Sequence, residues 1–255
     1  MRVAVRCEPL SYYVAKLDAQ EPLASLLYGD GEFQVLMGQR TGQRMQNGEL
    51  VTEKLEREML ASLDVAGDNV LRGTDPNLLN YEAYEGRDFR ALHELGTRIN
   101  HVLERRAPLE WYDGVVWDRA VRDGALGPLF GALRGYPTIL VANPALARFA
   151  HERLWRFLPI PERDAVAELN QLEGSILESL DGMRSSRATV LLCMGIGAIP
   201  LAMRLRRQVP HVTILDLGST FDIFAGLGAE RGWRQALYAE KAALVETIRK
   251  NLEGL

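Results

Sequence analysis

Two carboxylates two residues apart, each preceded by a glycine, follow directly on an apolar run in this 255-residue chain: Ala24 to Tyr28 (ASLLY), then Gly29-Asp30-Gly31-Glu32. The C-terminal ends of strands are where open α/β sheets bind ligands. In an extended or tightly turned backbone, side chains two apart point the same way. Asp30 and Glu32 are therefore expected to converge on one ion, while Gly29 and Gly31 let the chain approach a ligand closely. Oxygen ligands of this kind suit magnesium or manganese. The same residues also read as a plain helix start, with Asp30 as N-cap, Glu32 as a first-turn acid and the glycines serving only the turn.

A second segment, Gly195-Ile196-Gly197-Ala198-Ile199-Pro200, comes after another apolar run. A glycine turn that opens a helix offers backbone N–H groups to a diphosphate, which makes Gly195 and Gly197 candidate nucleotide contacts, unless the glycines serve only the backbone geometry of a strand-to-helix turn. Pro200 suits the first helical turn and stands where a dinucleotide fingerprint would carry its third glycine. Asp216 ends the next apolar run, placed to meet a ribose hydroxyl, to build the floor of an active site, or simply to cap a turn. Asp222, in the loop beyond, is a candidate general base for an acceptor hydroxyl, or a turn cap. Asn143 closes the run Thr138 to Ala142, where it can bond a nucleotide or, before Pro144, simply mark a turn. Trp111, Tyr112 and Trp117, with Asp118, Arg119 and Arg122, offer stacking and phosphate pairing, or else form a core edge beside solvated charges.

The stretch LLYGDGEFQVLMG resembles the opening segment of the GT-D type glycosyltransferases, whose Asp-x-Glu motif is here Asp30-Gly31-Glu32. A second similarity lies in Val190-Leu191-Leu192-Cys193-Met194-Gly195-Ile196-Gly197-Ala198, followed by Leu201-Ala202 and then Ile214-Leu215-Asp216-Leu217-Gly218. That order looks like the family's strand, glycine turn, helix and following strand end. The resemblance implies sugar transfer from a nucleoside-diphosphate donor, a UDP-sugar, to the hydroxyl of a glycan, protein or small molecule. It also implies a divalent manganese or magnesium ion at Asp30 and Glu32. Two departures stand out: Leu27 occupies the place where the family often carries Arg, and Ser-Thr-Phe-Asp comes after Gly218 instead of a His-containing run. Val190 to Pro200 with Asp216 also resembles the glycine loop of S-adenosylmethionine-dependent methyltransferases, which leaves Gly-Asp-Gly-Glu without a role. A non-catalytic nucleotide-binding or assembly protein is the third reading, and fold alone does not choose among the three.

Apolar runs bounded by turn residues alternate with stretches of helical period, which predicts an α/β, Rossmann-like domain with a mainly parallel sheet and helices on both faces. Strands are expected at Ala24 to Tyr28, Asn69 to Arg72, Gly114 to Trp117, Thr138 to Ala142, Thr189 to Met194 and Val212 to Leu217. Helices are expected at Glu49 to Leu63, Phe89 to Arg105, Asp164 to Leu180 and Ile199 to Gln208. A last one, from about Trp233 to Leu252, reads as a solvent-facing cover helix with Gly254 as C-cap. No linker breaks the chain, so residues 1–255 are expected to form one domain.

Lys and Arg total 30 against 34 Asp and Glu, a formal charge of −4 that leaves no basic excess for a long nucleic-acid track. Two cysteines, Cys7 and Cys193, cannot build a disulfide scaffold, and a cytoplasmic setting is expected. No run approaches the roughly 18 apolar residues of a membrane span. His93, His101, His151 and His211 form no zinc pattern, and neither Gly-x-Ser-x-Gly nor a Walker sequence occurs.

Overall fold

The computed structural model describes residues 4–45, 48–65, 67, 69–80, 89–104, 110–148, 155–161, 164–183, 187–229 and 232–253. The strands are β1 (Val5–Arg6), β2 (Ala24–Tyr28), β3 (Val70–Thr74), β4 (Trp111–Asp113), β5 (Thr138–Ala142), β6 (Trp155–Pro159), β7 (Thr189–Cys193) and β8 (Thr213–Asp216). All pair in parallel, in the order β1-β4-β3-β2-β8-β7-β5-β6. Strand side chains alternate between two cores, as the two-residue period of a strand requires. Ala24, Leu26 and Tyr28 of β2 and Val190 and Leu192 of β7 enter the first core, while Leu191 and Cys193 enter the second.

The first core is covered by α2 (Asp30–Leu36), α3 (Glu53–Leu63), α5 (Phe89–Leu103), α8 (Leu169–Gly182) and α9 (Ala198–Gln208). A short helix, α4 (Pro76–Leu79), joins β3 towards α5 and packs on it. The second core is covered by α1 (Leu10–Asp18), α6 (Val116–Arg122) and α7 (Gly127–Leu133), with α10 (Gly232–Ala239) and α11 (Lys241–Leu252) packed outside them. Strands β2 and β8 are neighbours, but the chain leaves them towards opposite faces. After β2 it enters α2 on the first core; after β8 it enters the 3-10 segment Thr220–Ala225, whose Phe221 and Ile223 lie in the second core. That is a topological switch point, the place where open α/β sheets offer a crevice.

Several expectations are corrected. The strand expected at Gly114 to Trp117 lies earlier, at Trp111–Asp113, and α6 begins at Val116. Gly114 follows it at a place where a Cβ would meet Leu27 Cδ1 at 2.4 Å and Thr74 N at 2.8 Å. The helix expected from Glu49 begins at Glu53, with Thr52 Oγ1 accepting from Leu55 N–H as N-cap, because residues 49–51 belong to a hairpin. The helix expected from Asp164 begins as a 3-10 segment, Ala165–Glu168, before α8.

The C-terminal helix is two helices that break at Glu240 (φ −111°, ψ 88°), with no proline or glycine to announce the break. The second is clamped to the protein by buried Asn251, whose amide donates to Val121 O at 2.8 Å and accepts from Leu126 N at 3.2 Å. Gly254, His151 and Arg105 lie outside the described residues. No helix among the described residues is long and apolar enough to cross a membrane.

Candidate functional site

Gly29 is the N-cap of α2, so Asp30 and Glu32 are the first and third residues of a helix. The expected convergence of the two side chains is thereby corrected, because positions two apart on an α-helix lie about 200° apart around its axis. Asp30 is exposed, whereas Glu32 is half-buried and folds back so that its Oε2 accepts from Gly29 N–H at 2.9 Å. This is the carboxylate half of a capping box, and it satisfies a helix N–H that would otherwise lack a partner. The glycine at position 29 leaves room for the fold-back, since a Cβ there would stand 2.9 Å from Glu32 Oε2. A Cβ on Gly31 would meet Met45 Cε at 3.2 Å and Ile196 Cγ2 at 3.7 Å. The structure therefore brings the two glycine segments singled out in the sequence together, Gly29 to Glu32 against Gly195 to Gly197.

Asp216 ties the two strand ends of the switch point. It is 3% exposed; its Oδ2 accepts from Leu27 N–H of β2 and its Oδ1 from Gly218 N–H, each at 3.0 Å. Burial raises its pKa to about 8, the two backbone N–H groups pull it down without cancelling that, and the Glu32 charge adds a further rise. With both oxygens committed to backbone, Asp216 fits the floor role better than a ribose contact. Leu27, held at its N–H by Asp216, wedges its side chain between two glycines: a Cβ on Gly218 would meet Leu27 Cδ2 at 2.7 Å, much as one on Gly114 would meet Cδ1.

Asp222 lies in the 3-10 segment after Gly218, with Oδ2 3.9 Å from Nη1 of the fully buried Arg234. The same guanidinium bonds Asp118 at 3.1 Å and Ser219 O at 2.8 Å, so Asp222 stands beside a buried cation. Asn143 sits three strands from β2, and its Oδ1 accepts from Ala145 N–H at 2.9 Å, the cap of a turn. Gly195 is exposed at φ +67°, a backbone state that favours glycine. Gly197 is buried, where a Cβ would stand 3.0 Å from Met194 Cε and 3.3 Å from Leu169 Cδ2. Trp111, Tyr112 and Trp117 are core residues, 1%, 3% and 2% exposed, so the stacking role is corrected. Trp111 packs edge-on to Tyr28 with ring centres 5.3 Å apart.

Two acids that sequence reasoning does not single out lie on the same rim. Asp75 comes directly after β3 and Asp113 ends β4, so the four adjacent strands β4, β3, β2 and β8 all lead into carboxylates. Asp113, 2% exposed, accepts from Val115 N–H at 2.9 Å and pairs with the half-exposed Arg119. Burial raises the pKa of Asp75, its bond to Asn77 N–H lowers it, Asp113 raises it and Arg119 lowers it. The Thr-Asp-Pro sequence at the end of β3 is a strand-end and cap signal, two residues beyond the expected stop at Arg72.

Among the described residues no group of three or more His, Cys, Asp and Glu side chains is gathered closely enough to hold a metal. A cavity of about 230 Å³ lies behind the hairpin, between Leu50, Thr52, Glu58, Asp164, Asn170 and Arg204, and none of the residues expected from the sequence lines it.

No protein-family model and no curated protein matches this chain. Solved structures do share its fold. One, described as a domain of unknown function 1792 with a distinct glycosyltransferase fold, is 14% identical, with a TM-score of 0.63 over 92% of this chain and 82% of its own. Another, described as a new glycosyltransferase of the same domain from Streptococcus sanguinis, is 15% identical, with a TM-score of 0.62 over 87% of this chain and 85% of its own.

Proposed function

We propose that this chain is a glycosyltransferase that moves a sugar from a nucleoside-diphosphate donor, a UDP-sugar, to an acceptor hydroxyl, with a divalent ion assisting. The observation that carries the reading is the position of Asp30-Gly31-Glu32, at the β2–β8 switch point of a fold shared with structures described as glycosyltransferases. The assembly reading expects both carboxylates buried in internal hydrogen bonds with no cleft beside them; Glu32 is bonded internally, to Gly29 N–H, but the exposure of Asp30 argues against that reading.

The residues present fit a hard cation. Magnesium-like ions are commonly bound by one or two carboxylates, taking further ligands from substrate phosphates and water, and Asp30 presents an exposed carboxylate at the rim. Asp30 would hold the ion, with Glu32 orienting the turn beside it. When bound, the ion neutralises negative charge that builds on the diphosphate as the sugar leaves. The protein's own contribution is rigidity. Glu32 fixes Gly29, Asp216 locks β2 to β8 beneath it, and Leu27 closes the second face between Gly114 and Gly218.

The test is release of nucleoside diphosphate from a panel of sugar nucleotides, with manganese, with magnesium and with chelator. Metal-dependent turnover of at least one donor supports the reading, and no turnover of any donor with any acceptor class overturns it.

A further inference from the structure

Strands β2 and β3 belong to one β-α-β crossover, through α2 and α3, and they pair side by side. Where such a unit binds a nucleotide, phosphate sits at the glycine turn after the first strand, and an acid at the end of the second strand meets the ribose hydroxyls. Asp216 is poorly placed for that second role, because both of its oxygens are held by backbone N–H groups. Asp75 is well placed. The register pairs Tyr28 with Thr74 as the last residues of their strands, so Asp75 and Gly29 each come directly after that pair.

The residue before Asp75, Thr74, is pinned from both sides. Thr74 Oγ1 donates to Tyr28 O at 2.7 Å, and Gly114 N–H donates to Thr74 O at 2.7 Å. Asp75 Oδ1 accepts from Asn77 N–H at 2.9 Å, which orients the half-buried carboxylate at the start of α4. The charged groups that act on it from β4 and α6 are Asp113 and Arg119, which are paired with each other. An acid held in this way, next to the turn that would carry phosphate, is a preorganised acceptor for a diol.

We propose that the Asp75 carboxylate accepts hydrogen bonds from the ribose hydroxyls of the nucleoside-diphosphate donor, so that the site selects ribonucleotides over deoxyribonucleotides. The inference rests on the donor reading of the same site. It is tested by calorimetric titration of the full chain with UDP, GDP, ADP and CDP, and with the 2′-deoxy form of each, in the presence of manganese.

The wild-type protein is expected to prefer the ribonucleotide roughly tenfold to a hundredfold, the usual worth of hydrogen bonds to a charged group. Asp75→Ala is expected to lose that preference by weakening the ribonucleotide alone. Asp75→Asn keeps an acceptor for Asn77 N–H and so guards against a folding defect, and it is expected to show a reduced preference. Binding of no nucleotide by the wild type would overturn the donor reading itself. Binding with equal affinity for ribo and deoxy forms, or with full preference in both variants, would overturn the assignment of Asp75 alone.

Discussion

The two halves of the sheet's C-terminal rim are built from the same kind of strand but differ in the residues at its exit. On one side, β4, β3, β2 and β8 lead into Asp113, Asp75, Asp30 with Glu32, and Asp216. On the other, β7 leads into Met194 and Gly195, β5 into Asn143 and Pro144, and β6 into Ile160 and Pro161. The acidic half is also the tightly drawn one. Gly114 and Gly218 admit Leu27, Thr74 and Gly114 clasp β3 to its neighbours, and Asp216 bridges β2 to β8. In the neutral half, the rim polar group Asn143 is spent on its own turn. Placing carboxylates in a rim already short of solvent costs free energy unless backbone donors or a cation offset it. The concentration of such costs on one side is therefore where ligand chemistry is expected.

The comparison breaks first at Asp30 and Glu32. Asp30→Asn is expected to lower sugar transfer by roughly a hundredfold or more, as removal of a transition-state charge contact does, and Glu32→Gln, whose amide oxygen still accepts from Gly29 N–H, is expected to lower it less, while unfolding stays cooperative in both. Steady-state assays beside thermal melts check this.

Asp216 gives the next largest effect, on stability. Its folded-state pKa of about 8 stands above the ordinary 3.8, so the folded state binds the proton more tightly than the unfolded chain. Its contribution is full below about pH 4 and is lost as pH rises through about 8, a decline on the order of a few kcal/mol. Asp216→Asn is expected to show a flatter stability–pH profile over that window, whatever constant cost the amide brings. Parallel profiles would contradict it.

Gly114→Ala is expected to cost about 1–3 kcal/mol by forcing Leu27 and the Thr74 backbone apart, read by denaturant unfolding. The neutral half should yield least. Asn143→Ala is expected to cost about 1 kcal/mol as a lost cap and to leave donor turnover within twofold, since the residue lies three strands from β2.

The same division explains how much is legible in the sequence. β2 and β5 lie where the apolar runs Ala24 to Tyr28 and Thr138 to Ala142 put them, and β7 and β8 differ from theirs only at the ends. These are central strands, buried on both faces, and burial writes itself into composition. Edge strands β1 (VR) and β6 (WRFLP) escape a sequence reading because short, mixed runs become strands by pairing with a neighbour and not by apolarity. The β4 aromatics Trp111 and Tyr112 suggest a ligand surface because sequence does not show that Phe33 and Tyr28 bury Trp111. Asp30, Glu32 and Asp216 stand out through their glycines and strand ends. The helix start that separates Asp30 from Glu32 is one of the two readings those residues offer, whereas the bringing of Asp75 to the end of β2 depends on register, which the sequence carries only implicitly.

The most direct test is thermal unfolding of the wild-type protein and of Asp30→Asn with a UDP-sugar, with manganese, and with both together. The two ligands together are expected to raise the melting temperature of the wild type by more than the sum of their separate effects, because each completes the other's site, and Asp30→Asn is expected to lose that surplus. An additive response in the wild type, or an undiminished surplus in the variant, would contradict a cation shared between Asp30 and a donor diphosphate.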